Sequence, residues 1–173
     1  MEAIRSGISS LLLYLLTLSG CTPGAPPPNI VVLLVDDAGY ADFGFMGSED
    51  LETPNLDALA AGGMVFTDAH VSATVCAPSR AGLLTGKYQQ RFGFECNALN
   101  HFQGIDTAEA TIAEVLQGVG YRTGAFGKWH VGDTPEARPP KRGFDYSWTF
   151  LSGARSYFPN EAQDQEGHLK SIR

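Results

Sequence analysis

An α/β fold, with a parallel sheet between helices, is what this sequence predicts, and three observations predict it. Residues 30–35 (Ile-Val-Val-Leu-Leu-Val) are an unbroken apolar run, the pattern of a strand buried on both faces of a parallel sheet. Ile112, Val115, Leu116 and Val119 recur at the i, i+3, i+4, i+7 spacing of an amphipathic helix. A strand-like stretch at residues 121–127 follows that helix directly, giving a βα-type alternation. A chain of 173 residues suffices for one domain with a real core, and 43% apolar against 18% charged content is that of a globular protein. A net charge of −7 with no basic cluster argues against nucleic acid as a partner.

The first twenty residues stand outside this pattern. Arg5 is a minimal positive region, Ile8 to Leu18 an apolar core, and Leu18-Ser19-Gly20-Cys21 ends the segment. The run is too short for a comfortable membrane span, so a cleaved export signal is expected over residues 1–20. Its ending resembles a bacterial lipobox, which makes Cys21 an acylated mature N-terminus and the protein a lipoprotein anchored on the periplasmic side; an ordinary signal peptide and a secreted protein is the alternative. Residues 21–28, rich in proline, read as an extended tether.

The apolar run at 30–35 ends at Asp36-Asp37. Ligand sites of α/β sheets lie beyond the carboxyl ends of strands, and two adjacent carboxylates repel unless a cation neutralises them, so this pair is a candidate metal site. Gly39, Gly44 and Gly47 punctuate the following loop. Residues 53–62 then form a short helix, with Thr53 as cap, Pro54 in the first position and Gly62 as terminator. Met64-Val65-Phe66 reads as a short strand, and His70 beyond it as a surface or core histidine.

Cys76-Ala77-Pro78-Ser79-Arg80 is the richest stretch. Proline in the first turn starts a helix without wasting an N–H, so Cys76 falls at a helix N-terminus, where the dipole favours negative charge. Arg80, one turn on, adds a fixed positive charge on the same side. A nucleophile there faces an anion site. Gly86-Lys87 lacks the glycine spacing of a phosphate-binding loop. Cys21, Cys76 and Cys96 form neither a disulfide framework nor a zinc spacing, and a Cys76–Cys96 bridge would consume the nucleophile, so free thiols are expected at 76 and 96. The helix over 108–119 takes Asp106 or Thr107 as cap. Beyond the strand at 121–127, Lys128 and His130 share one face if the chain stays extended, a pairing suited to an anionic substrate; alone, it does not rise above a surface lysine and a packed histidine. Residues 138–145 read as a proline-rich loop, 150–159 as strand then loop, and the tail as polar.

From about Asn29 to about Pro159 these pieces together resemble the N-terminal part of a type I, formylglycine-dependent sulfatase of the arylsulfatase-like kind, in the alkaline phosphatase-like superfamily. Cys76-Ala77-Pro78-Ser79-Arg80 fits the family's C-x-P-S-R signature. Pro28-Asn29-Ile30 through Asp36-Asp37, Thr53-Pro54-Asn55-Leu56-Asp57, Leu84-Thr85-Gly86 and Gly127-Lys128-Trp129-His130 support it in the family's order. The resemblance implies a mixed, mostly parallel central sheet flanked by helices, incomplete at its C-terminus, with residues 29–173 as the N-terminal part of a sulfatase catalytic domain.

It further implies that a maturation enzyme oxidises Cys76 to formylglycine, whose hydrated aldehyde is the nucleophile. Asp36 and Asp37, with the formylglycine at 76, would hold a divalent cation, calcium or else magnesium. Arg80 would stabilise the formylglycine, Lys128 would contact the sulfate, and His130 would assist proton transfer. The expected reaction is hydrolysis of a sulfate monoester, with a sulfated carbohydrate as one candidate substrate. A phosphodiester or phosphonate monoester hydrolase of the same superfamily is the alternative, as is a truncated non-catalytic lipoprotein. The family's remaining metal ligands, an Asp followed by Asn or Gln, and a second histidine and a second lysine have no match here: neither Asp145 nor Asp164 is followed by Asn, and Asp164-Gln165 comes too early and follows no apolar strand. The chain by itself is therefore expected to be an inactive fragment, with a sheet edge left exposed.

Overall fold

The computed structural model describes residues 25–97 and 103–155, and the backbone of 169–171. The export signal, Cys21 and Asp164 lie outside the described residues. The chain divides into two units, residues 1–35 and residues 36–173.

Within the first unit, residues 25–35 carry no helix and no strand. The buried strand expected at 30–35 does not form: the six side chains are between 45% and 80% exposed. A strand of this composition needs a ladder on its edges and cover on both faces, and the only sheet among the described residues is built from other segments.

The second unit opens with the glycine-punctuated loop and helix α1, Pro54–Gly62. Thr53 precedes this helix but does not cap it. Its hydroxyl instead accepts from the Gly44 N–H and donates to Asp57, at 2.8 Å each, while the Phe45 N–H donates to the same carboxylate at 2.8 Å. Asp57 thus ties helix to loop, and it lies where any side chain on Gly44 would have to go, 2.5 Å from a Cβ there. Met64-Val65-Phe66 forms no strand and stays exposed.

Helix α2 runs from Cys76 to Thr85 and buries Ala77, Pro78, Ala81 and Gly82. Gly86 closes it in the left-handed conformation at φ 65°, which only glycine adopts without strain. Helix α3 spans Ile112–Gly118, shorter than the expected 108–119. Thr111 and Glu114 form a capping box, and Asp106 holds residues 106–109 in a separate turn through Ala108 N–H, at 2.8 Å. Local side-chain caps therefore decide the start, against an apolar stripe that extends no further upstream.

Strand β1, Gly124–Lys128, pairs in parallel with β2, Tyr146–Phe150, in the register Gly124↔Tyr146 to Lys128↔Phe150. Strand β3, Leu169–Ser171, pairs antiparallel with β2, so the sheet is mixed. Between β1 and β2 the chain makes two short 3-10 turns, Pro135–Ala137 ahead of the proline-rich loop and Pro139–Lys141 within it. The core lies at the carboxyl end of this parallel pair, where Trp129, Val131 and Leu151 meet Ala77 and Ala81 of α2 together with Phe94 and Ile105. Trp129 is fixed edge-on to Phe144, with centroids 5.7 Å apart, and its indole N–H donates to the Ala137 carbonyl at 3.0 Å. Burying Trp129 between Lys128 and His130 pins both of its chain neighbours.

Candidate active site

The site is assembled by α2, the end of β1 and the start of the second unit. Cys76 is the first residue of α2, as its sequence context requires, and Arg80 follows one turn later. Arg80 is largely buried and makes two directed bonds: Nη1 donates to the Lys128 carbonyl at 2.8 Å, and Nη2 to Asp36 Oδ1 at 3.0 Å. Lys128, at the last position of β1, donates from Nζ to the other Asp36 oxygen at 2.8 Å. One carboxylate thus receives a guanidinium and an ammonium, one on each oxygen. Partial burial pushes the Asp36 carboxyl up, but the hydrogen bonds from Lys128 and Arg80, reinforced by their charges, outweigh it and hold the group below the ordinary carboxylate value.

Asp36, Arg80 and Lys128 are therefore in direct contact, and Cys76 is joined to them through the rigid turn of α2 that separates it from Arg80. Asp37 and His130 are placed by backbone conformation. They are the only non-glycine residues with positive φ among the described residues, at 56° and 60°. Such residues cost free energy and persist where the surrounding structure over-determines them. The extended conformation that would align Lys128 with His130 ends at Lys128: β1 stops there, and His130 turns into the left-handed region and is buried. His130 keeps its place through its N–H, which donates to the Leu151 carbonyl at 3.1 Å, and through the close approach of Gly153.

Cys76 and Cys96 are both free thiols, as expected. His70 is exposed and paired with Asp68 at 2.8 Å, away from any chemistry. Asp145 serves the fold by accepting from Thr123 and Gln117. The helix N-terminus differs from expectation in one respect. The Ala77 N–H is not open to an anion; it donates at 3.0 Å to Asn97 Oδ1, a side chain that no motif in the sequence marks.

Asp36 and Asp37 offer adjacent carboxylate oxygens, the donor chemistry that hard cations such as calcium and magnesium take. Among the described residues no group of three or more His, Cys, Asp or Glu forms, so these two fit as part of an oxygen shell rather than the whole of one. The sum of the arrangement is a carboxylate pair, two cations and a helix-borne cysteine.

The chain is 48% identical to human arylsulfatase A over 134 residues, covering 75% of this chain and 26% of that protein. It is 42% identical over 156 residues to pig N-acetylgalactosamine-6-sulfatase, covering 84% of this chain and 30% of that protein. Among solved structures, Ps i-CgsB superposes with a TM-score of 0.70 at 48% identity over 75% of this chain and 29% of that one. The same protein has been solved in complex with k-i-k-neocarrahexaose. The chain spans about a quarter of the length of the curated relatives it matches. Residues 28–168 match the sulfatase family model, and on that match, which carries the alkaline phosphatase-like α/β fold with it, the chain belongs to the sulfatase family.

Proposed function

We propose that the protein of which this chain forms part hydrolyses a sulfate monoester, with Cys76 as the precursor of its nucleophile. The observation that carries the reading is the contact of Arg80 and Lys128 with Asp36, one helical turn from Cys76. A sulfate ester is anionic and repels a nucleophile, so positive charge must be gathered before attack. Arg80 and Lys128 are that charge, largely withdrawn from solvent and preorganised by Asp36. Asp36 and Asp37 would hold a divalent cation, calcium in the family at large, which when bound supplies further neutralisation of the sulfate oxygens. Cys76, once converted to formylglycine by a maturation enzyme, supplies a hydrated aldehyde whose second hydroxyl allows sulfate to be expelled, a step a plain thiol lacks.

The remaining roles belong to residues of this chain. Lys128 turns its ammonium from Asp36 toward the sulfate. Arg80 keeps the helix start and the strand end in register through the Lys128 carbonyl. His130 is buried beyond them and moves the proton of the nucleophile at residue 76. A sulfated carbohydrate is the substrate class favoured, because one relative is named for N-acetylgalactosamine-6-sulfate and another is solved with an oligosaccharide. Export by residues 1–20 and a lipid anchor at Cys21 would place such an enzyme where polysaccharides are met.

The test is expression of the full reading frame with a formylglycine-generating enzyme, followed by mass analysis of the peptide carrying Cys76 and by assay on sulfated oligosaccharides and an aryl sulfate. Aldehyde in place of thiol and release of sulfate, both abolished in Cys76→Ala, are expected. Full activity in Cys76→Ala, or sulfate release from a protein whose Cys76 is wholly thiol, refutes the reading.

A further inference from the structure

We propose that Asn97 is the positioning residue for the side chain at position 76, holding the start of α2 with its carboxamide oxygen and that side chain with its carboxamide nitrogen. The proposal rests on the reading of Cys76 as the nucleophile's precursor. Helix α2 has no cap of its own, since Val75 precedes it and offers no side-chain acceptor. Asn97, twenty residues on, supplies one: its Oδ1 accepts from the Ala77 N–H at 3.0 Å. Only an oxygen can accept there, so the NH2 end of the amide faces the neighbouring side chain. That neighbour is Cys76, whose Sγ lies 3.5 Å from Asn97 Nδ2 and 3.8 Å from Oδ1.

One planar amide thus spans a backbone donor in the first turn of the helix and the side chain at position 76. The geometry fixes the Cys76 rotamer against the helix axis, and it presents an N–H to whatever replaces the sulfur. After conversion, the same N–H would meet a hydroxyl of the hydrated aldehyde, a better acceptor than sulfur. A residue that holds a nucleophile in one orientation acts on turnover more than on substrate affinity.

The two halves of the proposal separate by substitution. Asn97→Asp keeps an acceptor for the Ala77 N–H but replaces the N–H donor beside residue 76 with a carboxylate. Asn97→Ala removes both. The first measurement uses this chain with Cys76 unconverted and Cys21 and Cys96 replaced by serine, so that iodoacetamide reports on Cys76 alone. Asn97→Asp should slow alkylation by about fivefold at low salt, the size of a unit-charge repulsion near 4 Å in water. Hydrogen exchange at the Ala77 amide should stay as in the parent for Asn97→Asp and accelerate for Asn97→Ala. Alkylation at the parent rate in Asn97→Asp, with the Ala77 amide equally protected, overturns the proposal. So does an unchanged Ala77 amide in Asn97→Ala.

The second measurement uses the matured full-length enzyme, where Asn97→Asp should lower kcat by about tenfold or more while KM holds. Parent kcat in that variant overturns the proposal and leaves the sulfatase reading intact. A parent enzyme without sulfate release strikes the sulfatase reading instead, and the alkylation result still decides whether Asn97 positions residue 76.

Discussion

Gly153 lies flat against the imidazole of His130: a Cβ at that glycine would fall 2.7 Å from Cε1 and 2.8 Å from Nε2. The ring is buried and its backbone sits at φ 60°, so it has little freedom to withdraw. The absence of a side chain at Gly153 is therefore a condition for the position of His130.

The smallest substitution tests this. Gly153→Ala should move the imidazole by roughly an ångström, a displacement that can cost about a hundredfold in turnover when a catalytic group is involved. In the matured enzyme kcat should fall far more than KM rises, and Gly153→Ala with His130→Ala should be no worse than His130→Ala alone. A Gly153→Ala enzyme with parent kcat would show that the contact is mere packing.

Asp36 offers a second test, because it holds two cations at once. Asp36→Asn leaves Arg80 and Lys128 side by side with no charge to face, although the amide oxygen can still accept one bond. Removing one partner of a fully buried pair costs several kcal/mol, but the Asp36 side chain is 42% exposed, and water screens the loss. Urea denaturation should show a destabilisation of about 1–2 kcal/mol that shrinks in high salt. An unchanged midpoint would mean that the two cations are held by the fold without Asp36.

Asp145 gives a pH dependence of known sign. The Thr123 N–H holds its carboxyl below the ordinary value of 3.8; burial opposes this, and the Gln117 amide, the Arg122 charge and the Thr123 hydroxyl add to it. A carboxyl whose folded-state pKa is depressed binds fewer protons in the folded state than in the unfolded one. Its contribution is therefore complete above the unfolded pKa and is lost as pH falls through the folded one. Stability of the parent should drop below about pH 4, and Asp145→Asn should be less stable at pH 7 with a flatter acid limb. Parallel acid limbs in the two proteins would remove Asp145 from the account.

What the sequence made legible follows from range. Cys76 at a helix start, Arg80 one turn on, and Lys128 at a strand end are each set by a few neighbouring residues, and the structure places them so. The contact of Asp36 with both cations spans 44 and 92 residues, and only the family resemblance implied that these residues share a site. The strand at 30–35 failed for the converse reason: its composition demands partners on both edges, and composition cannot say which segments provide them. Helix α3 is shorter than its apolar stripe and flanking turn residues suggest, because the T-x-x-E capping box of Thr111 and Glu114 starts it at Ile112. Asn97 and Gly153 carried no signal at all. A lone asparagine and a glycine after a strand are ordinary until the fold brings them to Cys76 and His130.

Arg142 is the least legible residue of all, since a proline-rich loop gives no reason to bury an arginine. It is 1% exposed, and its guanidinium is used in three directions. Nε donates to Glu114 Oε1 at 3.0 Å, Nη1 to the Ile105 carbonyl at 2.7 Å, and Nη2 to the Glu109 carbonyl. Its own carbonyl accepts from the Thr111 hydroxyl at 2.8 Å, so the capping box of α3 and the loop before β2 are fastened together. The next residue, Gly143, runs so close to the backbone of Ala113 and Glu114 that no Cβ fits there. Arg142→Lys retains the charge but cannot reproduce a planar fork with three separate acceptors. It should leave the buried Ile105 carbonyl unsatisfied, at about 1–3 kcal/mol, and the part-buried Glu109 carbonyl at less. Arg142→Met removes the charge as well and strands Glu114. Both should lower the urea midpoint sharply, Met by at least as much as Lys, while a Lys141→Met control in the exposed neighbouring position should not. If Arg142→Met melted with the parent, the guanidinium would be a passenger and the loop would be held by Gly143 and Thr111 alone.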